Sequence, residues 1–291
     1  MKTVELRDFH KAISELNNSF THYSFVWNQF SIDYAQILGK NPDALTKDIF
    51  NGNPFKRKHN IKFSELGNEH SKTDESLIQG IFLLIYTHFE SYLKNILLFA
   101  KTADNTIGSL ESKIEDEEND FMLIDKVFNR IGVNKILLQS ELRFTLDYLR
   151  LKRNRLIHSN SENISKSLND LIKPEGGNLN KYWNSRLPSE LQGIDFKNKD
   201  NVNKLTFNVV IDVINIFRGI SNEIDKIVTE KLTANLIIKT VIIPKFKDAQ
   251  RKKINGLKIE RVISKFEKYC QSKYSMKVNN EQIDLLKSSI V

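Results

Sequence analysis

With 291 residues, 40% of them hydrophobic, and only 5 Pro and 11 Gly, the chain holds enough apolar side chain for a sizeable core and few obligatory breaks, which favours helices over many short strands. The single cysteine, Cys270, excludes an internal disulfide framework and leaves no second thiolate for a metal site, so a reducing cytoplasm is the expected setting. The formal net charge of +8 sits at one end: residues 231–291 carry 14 Lys/Arg against 5 Asp/Glu, and the first 230 residues come to −1.

Residues 1–38 space Val4, Phe9, Ile13, Leu16, Phe20, Tyr23, Trp27 and Phe30 mostly three or four apart, which predicts a long first helix or helical pair. Their mixed charges do not fit a secretory signal. From Gly39 to about Glu69 the pattern dissolves, and Asn-Pro and Asn-Gly steps mark a connector with one short helix. Thr73 offers the N-cap of the next helix, with Ser76 where a capping box prefers Glu or Gln. That helix carries a stripe of Ile81, Leu84, Ile85, His88, Phe89, Tyr92, Leu93, Ile96 and Phe99, wide enough for burial on more than one side. Because His88, Glu90 and Lys94 interrupt it, it reads as a buried helix and not a membrane span. His88 reads as a hydrogen-bonded core histidine. The acidic run 110–120 reads as a solvated helix end or loop.

Residues 121–139 predict a shorter helix broken at Ile131-Gly132. A new helix then runs from Lys135 or Ser140 through LKRNRLIHSN (151–160). Leu142, Leu146, Leu149, Arg153 and Leu156 follow the a/d seam of a packing helix, so a guanidinium stands where an apolar residue is expected. Beyond Ser159, Pro174, Gly176, Gly177 and Pro188 predict a long loop holding a short helix near 163–172. A core helix follows at 202–232. The β-branched run NLIIKTVIIPKF (235–246) is compatible with a strand that Pro244 confines to an edge or an end. A basic amphipathic helix, about Leu257 to Tyr274, closes the series. The basic tail suggests a polyanionic partner, RNA or DNA before a membrane, with a merely solubilising surface as the alternative.

The most informative chemistry is R-N-x-x-x-H: Arg153, Asn154 and His158. On a straight helix Arg153 and His158 stand about 140° apart, so a long Arg side chain can flank a cleft that His158 faces. Asn154, one turn before His158, is placed to orient the imidazole or a bound phosphate. RNA carries its own nucleophile, the 2′-hydroxyl. Its cleavage then needs a proton-transfer group, which histidine supplies, and a cation on the phosphorane oxygens, which the planar guanidinium supplies. The expected products are a 2′,3′-cyclic phosphate and a 5′-hydroxyl, with DNA left uncut. The competing reading is a helix-terminal basic cluster of Arg150, Lys152, Arg153 and Arg155 that complements the macrodipole while His158 caps the end.

RNRLIH at 153–158 resembles the R-x(4–6)-H motif of the HEPN superfamily, whose ribonucleases serve prokaryotic toxin, abortive-infection and phage-defence systems. YTHFESYLKNIL (86–97) resembles the early helix of that family, with its aromatic-Glu step at Phe89 and Glu90. The resemblance covers roughly residues 73–230. It implies a mainly α, HEPN-like helical bundle over 71–232 and leaves unexplained the extra N-terminal helices read from spacing in 1–70 and the small basic C-terminal α(+β) extension in 233–291. It further implies a homodimer in which Arg153, Asn154 and His158 enter one composite site twice, with Glu90 as an accessory catalytic residue or, equally, a member of an exposed salt bridge. Isologous contact doubles a patch near a two-fold axis, and an open dimer cleft relieves the cost of an Arg in an apolar seam.

The function expected from this is a metal-independent, cytoplasmic endoribonuclease with RNA as partner, no cofactor, no membrane, and an antitoxin or defence-system protein as a further partner. The alternative is a non-catalytic HEPN-like module that binds nucleic acid or protein through its tail. His10, His22, His59 and His70 show no metal-ligand spacing, and no Walker loop, dinucleotide fingerprint, G-x-S-x-G elbow or kinase motif occurs.

Overall fold

The structure is a computed structural model that describes residues 1–111, 122–158, 166–199, 202 and 205–290, with His158 described by its backbone alone. Among these residues it is all-helical, with one isolated backbone bridge between Leu45 and Lys62. No described helix is long and apolar enough to cross a membrane.

The first apolar stripe forms one helix, α1 (Val4–Lys40), capped by Thr3, whose hydroxyl accepts from the Leu6 N–H. The connector holds a short α2 (Thr46–Ile49) and leads into α3 (Leu66–Ala103). Thr73 does not cap α3. It lies inside the helix, where its hydroxyl donates to the Glu69 carbonyl, the back-bond that Thr makes when a helix continues through it.

Three helices build the centre. Phe9 of α1 meets Phe89 and Tyr92 of α3, and farther along Tyr23 and Trp27 meet His70, so α1 and α3 run antiparallel. The third is α7 (Phe207–Leu232), whose Phe217 packs on Tyr86 and Phe89, and whose Ser221 carbonyl accepts from the Tyr92 hydroxyl. A polar spine ties α1 to α7: Thr3 donates through its N–H and hydroxyl to Asp225, His10 Nε2 contacts Ser221 Oγ at 2.9 Å, and Arg218 donates to Ser14. Burial pushes the Asp225 carboxyl up to about 6, against the lowering effect of its Thr3 bonds, and holds the His10 imidazole near 4, with the Arg218 charge adding to the effect.

On one side of this centre lie α4 (Leu123–Ile131), α5 (Ser140–His158) and α6 (Lys166–Arg186). Gly132 ends α4 in the left-handed conformation, φ +70°, as a helix C-terminus favours. The expected loop after residue 159 becomes α6 over most of its described length. Its buried Leu168, Leu171, Ile172, Leu179 and Trp183 form a helical face diluted by polar neighbours in the sequence. Pro174 lies inside the helix, and Gly176 is a close approach and not a turn: a Cβ there would stand 2.5 Å from the Phe196 carbonyl oxygen.

The expected strand is helical, which corrects the α(+β) description of the tail. Ala234–Ile237 forms α8, Ile238–Ile242 a π-helical turn and Ile243–Ile254 α9. Pro244 has no N–H to offer the preceding turn, and it falls in the first turn of α9, directly after the widened π-helical segment. Ile237, Ile238, Val241, Ile242 and Phe246 are all buried. Burial of that face outweighs the β preference of its residues. The basic amphipathic helix appears as α10 (Ile259–Tyr274), and a further helix, α11 (Asn280–Ile290), follows. The start of the chain closes on the end of α10, with the Lys2 N–H donating to the Tyr274 carbonyl and Arg7 to that of Ser272. One hydrophobic cluster takes residues from α1, from α3 to α7 and from the C-terminal helices.

Candidate active site

The seam of α5 is buried at Leu142, Leu146 and Leu149 and opens at Arg153, which is half-buried. The opening leads into a cleft of about 200 Å³ between α3, α4 and α5. Tyr86, Phe89 and Glu90 come from α3, Met122 to Ile124 from the start of α4, and Leu146, Arg150, Arg153 and Asn154 from α5. The seam residue that breaks the apolar pattern therefore points its guanidinium into space shared with Glu90.

Among the described residues two contacts hold that guanidinium. Its central carbon stands 5.5 Å from the centroid of the Tyr86 ring, and Nη1 donates to Asn154 Oδ1 at 3.3 Å. The first is a cation–π contact, worth about 0.5–2 kcal/mol. It also supplies a favourable surface for a charge that an apolar seam would otherwise penalise. Burial pushes the Tyr86 hydroxyl up to about 12, with the Glu90 charge adding and the Arg153 and Arg150 charges opposing. Near neutral pH Tyr86 is therefore a neutral hydroxyl. Arg150, at the same wall, pairs with Asp147 through Nε and Nη2 at 3.0 and 2.7 Å. An ion pair from Arg143 to Asp125, at 3.0 Å, fixes α4 against α5.

Arg153, Asn154 and Glu90, taken from sequence spacing and resemblance, are thus gathered at one cleft. His158 is the last residue of α5, and its side chain, like residues 159–165, lies outside the described residues. Tyr86 is not picked out by the sequence, and Arg150 enters there only as a member of the helix-terminal basic cluster, although Tyr86 stands one helical turn before Glu90 and Arg150 nearly one before Arg153. His88 is half-buried on α3 and is not among the residues lining the cleft.

Lys152 departs furthest from the sequence reading. Instead of joining a solvated cationic cluster it is 1% exposed, its Nζ donates to the Val202 carbonyl at 2.9 Å, and burial holds its amine near 7. It faces away from the cleft and anchors the segment before α7 to the back of α5. On the same side Trp183 of α6 donates to the Thr145 hydroxyl and Tyr148 packs edge-on against Phe196. These contacts set the rotation of α5 that turns Arg153 toward Tyr86.

Fold and site together define an all-helical protein with a cationic, partly aromatic cleft between three helices. Among the described residues no three His, Cys, Asp or Glu side chains gather as metal ligands. No family model matches the chain, and no curated protein or solved structure matches it either.

Proposed function

We propose that the protein is a metal-independent endoribonuclease of HEPN type, acting as a homodimer in prokaryotic anti-phage defence or as the toxin of a toxin–antitoxin pair. The observation that carries this reading is the opening at Arg153 of a helical seam buried at Leu142, Leu146 and Leu149, into a cleft that also holds Asn154, Glu90 and Tyr86.

In the proposed reaction the 2′-oxygen of the RNA attacks the adjacent phosphorus. Negative charge grows on the equatorial oxygens, where Arg153 offers a planar pair of N–H donors. His158 moves the proton between the 2′-hydroxyl and the departing 5′-oxygen. Asn154, one turn from His158 and hydrogen-bonded to Arg153, orients both groups. Self-association about a two-fold axis brings a second Arg153 and His158 to the same strand.

The test is incubation of the purified protein with single-stranded RNA in EDTA. Cleavage to 2′,3′-cyclic phosphate ends is expected, with rates falling about 10²- to 10⁴-fold in His158→Ala and a comparable loss in Arg153→Ala, while sedimentation still shows a dimer. Cutting that survives His158→Ala, or that requires Mg²⁺, removes the proposal. So does a wild-type protein that sediments as a monomer at the concentration at which it cuts.

A further inference from the structure

The second site lies at the far end of the α1–α3 pair. Past Phe20, α1 leaves the main core, and the connector 41–65 folds back over it. Thr46 is the knot of that fold: its N–H donates to the Ile61 carbonyl and its hydroxyl accepts from the Ile61 N–H while donating to the His59 carbonyl. Beneath this strap the rings pack as a series. Trp27 lies on His70 with centroids 3.4 Å apart and planes 11° from parallel, and Phe30 stacks on both Trp27 and Tyr34. Phe50 meets Phe30, Tyr34 and the buried Phe63. The series leaves a concave pocket of about 330 Å³, lined chiefly by Trp27, Phe30, Phe50 and Phe55. That volume is at the lower end of the roughly 300–1,000 Å³ of ligand pockets.

Phe55 is 60% exposed at the rim. It is held there by a local turn, in which its N–H donates to Asn53 Oδ1 and its carbonyl accepts from the Lys58 and His59 N–H groups. A large ring presented to solvent on an ordered turn, beside a pocket already made of rings, is not explained by packing. Its surroundings are cationic: residues 40–62 carry six Lys/Arg against two Asp, Lys56 lines the pocket beside Phe55, and Arg57 and Lys58, which follow Lys56, are exposed.

Charge decides what such a pocket takes. An aromatic cage for a quaternary ammonium or methylated lysine works by cation–π attraction, and a cationic rim would repel that ligand. A flat, uncharged π-system joined to anionic phosphates satisfies both the rings and the rim, as in single-strand binding sites that pair stacking platforms with basic grooves. We propose that this pocket seats an unpaired base of single-stranded RNA among Trp27, Phe30, Phe50 and Phe55, with Arg57 and Lys58 on the flanking phosphates. The choice of RNA rests on the ribonuclease reading. Leu66 and Glu90, which line the two sites, stand roughly 36 Å apart along the axis of α3. The pocket is thus a substrate-holding site separate from the cleavage cleft.

The test uses a fluorescein-labelled RNA of about a dozen nucleotides, fully 2′-O-methylated so that no 2′-hydroxyl is free to attack. Trp27 and Trp183 are the tryptophans of the chain, and Trp183 is 1% exposed, so tryptophan quenching by an unlabelled copy of the strand reports on Trp27. Quenching on binding is expected. Phe55→Ala, which removes a rim ring and no core contact, should weaken binding by roughly 5- to 150-fold, and Phe55→Trp should retain it. Arg57→Glu with Lys58→Glu should lower both the affinity and its salt dependence. Unchanged affinity in Phe55→Ala overturns the proposal, as does equal binding of an abasic strand or of duplex RNA, whose bases are already stacked. A protein that binds this strand through Phe55 yet cleaves no RNA would sink the catalytic reading alone. One that cleaves RNA while Phe55→Ala binds normally would sink the pocket alone.

Discussion

Arg153 shows how a residue that violates a local rule is accommodated. Its position in the seam calls for Leu, and the structure meets the charge with the face of Tyr86 and the amide of Asn154. If the ring face is what holds the guanidinium, Tyr86→Phe should keep cleavage near the wild-type rate, whereas Tyr86→Leu should lower it by about 2- to 30-fold, the range that follows from a cation–π contact. Equal rates in the two variants would assign Tyr86 to packing only. Lys152 makes a different prediction. Its amine is held near 7 in the fold and titrates near 10.5 when exposed, so between those values the unfolded chain binds the extra proton. Its contribution to stability is therefore complete above about pH 10.5 and is lost as pH falls through 7. Urea midpoints should rise from pH 7 to pH 10, and Lys152→Met should flatten that rise. An identical slope in the variant would mean that the amine is not held neutral in the fold.

At the scale of elements, two segments were misread from the sequence for the same reason. The strand expected at 235–246 and the stretch 173–186 of the loop expected after 159 both contain helix-disfavouring residues, β-branched in one and Pro and Gly in the other. Both are helical because each offers a face of large apolar side chains to a neighbour that buries it. Local preferences worth tenths of a kcal/mol to a few kcal/mol lose to burial summed over a whole face. The turn before α7 is set by equally non-local means. Asp212, inside α7, accepts the N–H groups of Gln192, Gly193 and Ile194 at 2.7 to 3.2 Å. Gly193 has no room for a side chain, because a Cβ would stand 2.2 Å from the Val209 nitrogen. Gly193→Ala should therefore cost about 1–3 kcal/mol through overpacking, read as a lower urea midpoint, and Asp212→Ala a comparable amount through three orphaned donors. A neutral Gly193→Ala would show that the turn can move.

For the whole molecule, the decisive feature is that both chain ends join the centre. Thr3 is bonded to Asp225, Lys2 to Tyr274, and Phe246 is fully buried against Phe266 and Tyr269. Phe246→Ala should cost about 3–5 kcal/mol and lower a single transition, seen at one urea concentration by far-ultraviolet circular dichroism and by tryptophan fluorescence. A separate early transition of the C-terminal helices would show that they fold apart from the rest. The basic character of residues 231–291 does not make them a loose appendage, since α9 and α10 bury one face and expose most of their Lys and Arg on the other.

Period and spacing were enough to establish the helical class, the long helices α1, α3, α5 and α7, and the anomaly of Arg153 with Asn154 on a packing seam, because those properties repeat along the chain every 3.6 residues. Which side chains meet across helices was decided only by the tertiary structure. Tyr86 under Arg153, Lys152 buried against Val202, and the ring-lined pocket beneath residues 41–65 all join segments far apart in the sequence. Such contacts depend on the rotation and depth at which helices dock, and these are set by the packing of whole faces, for which no local pattern carries the information.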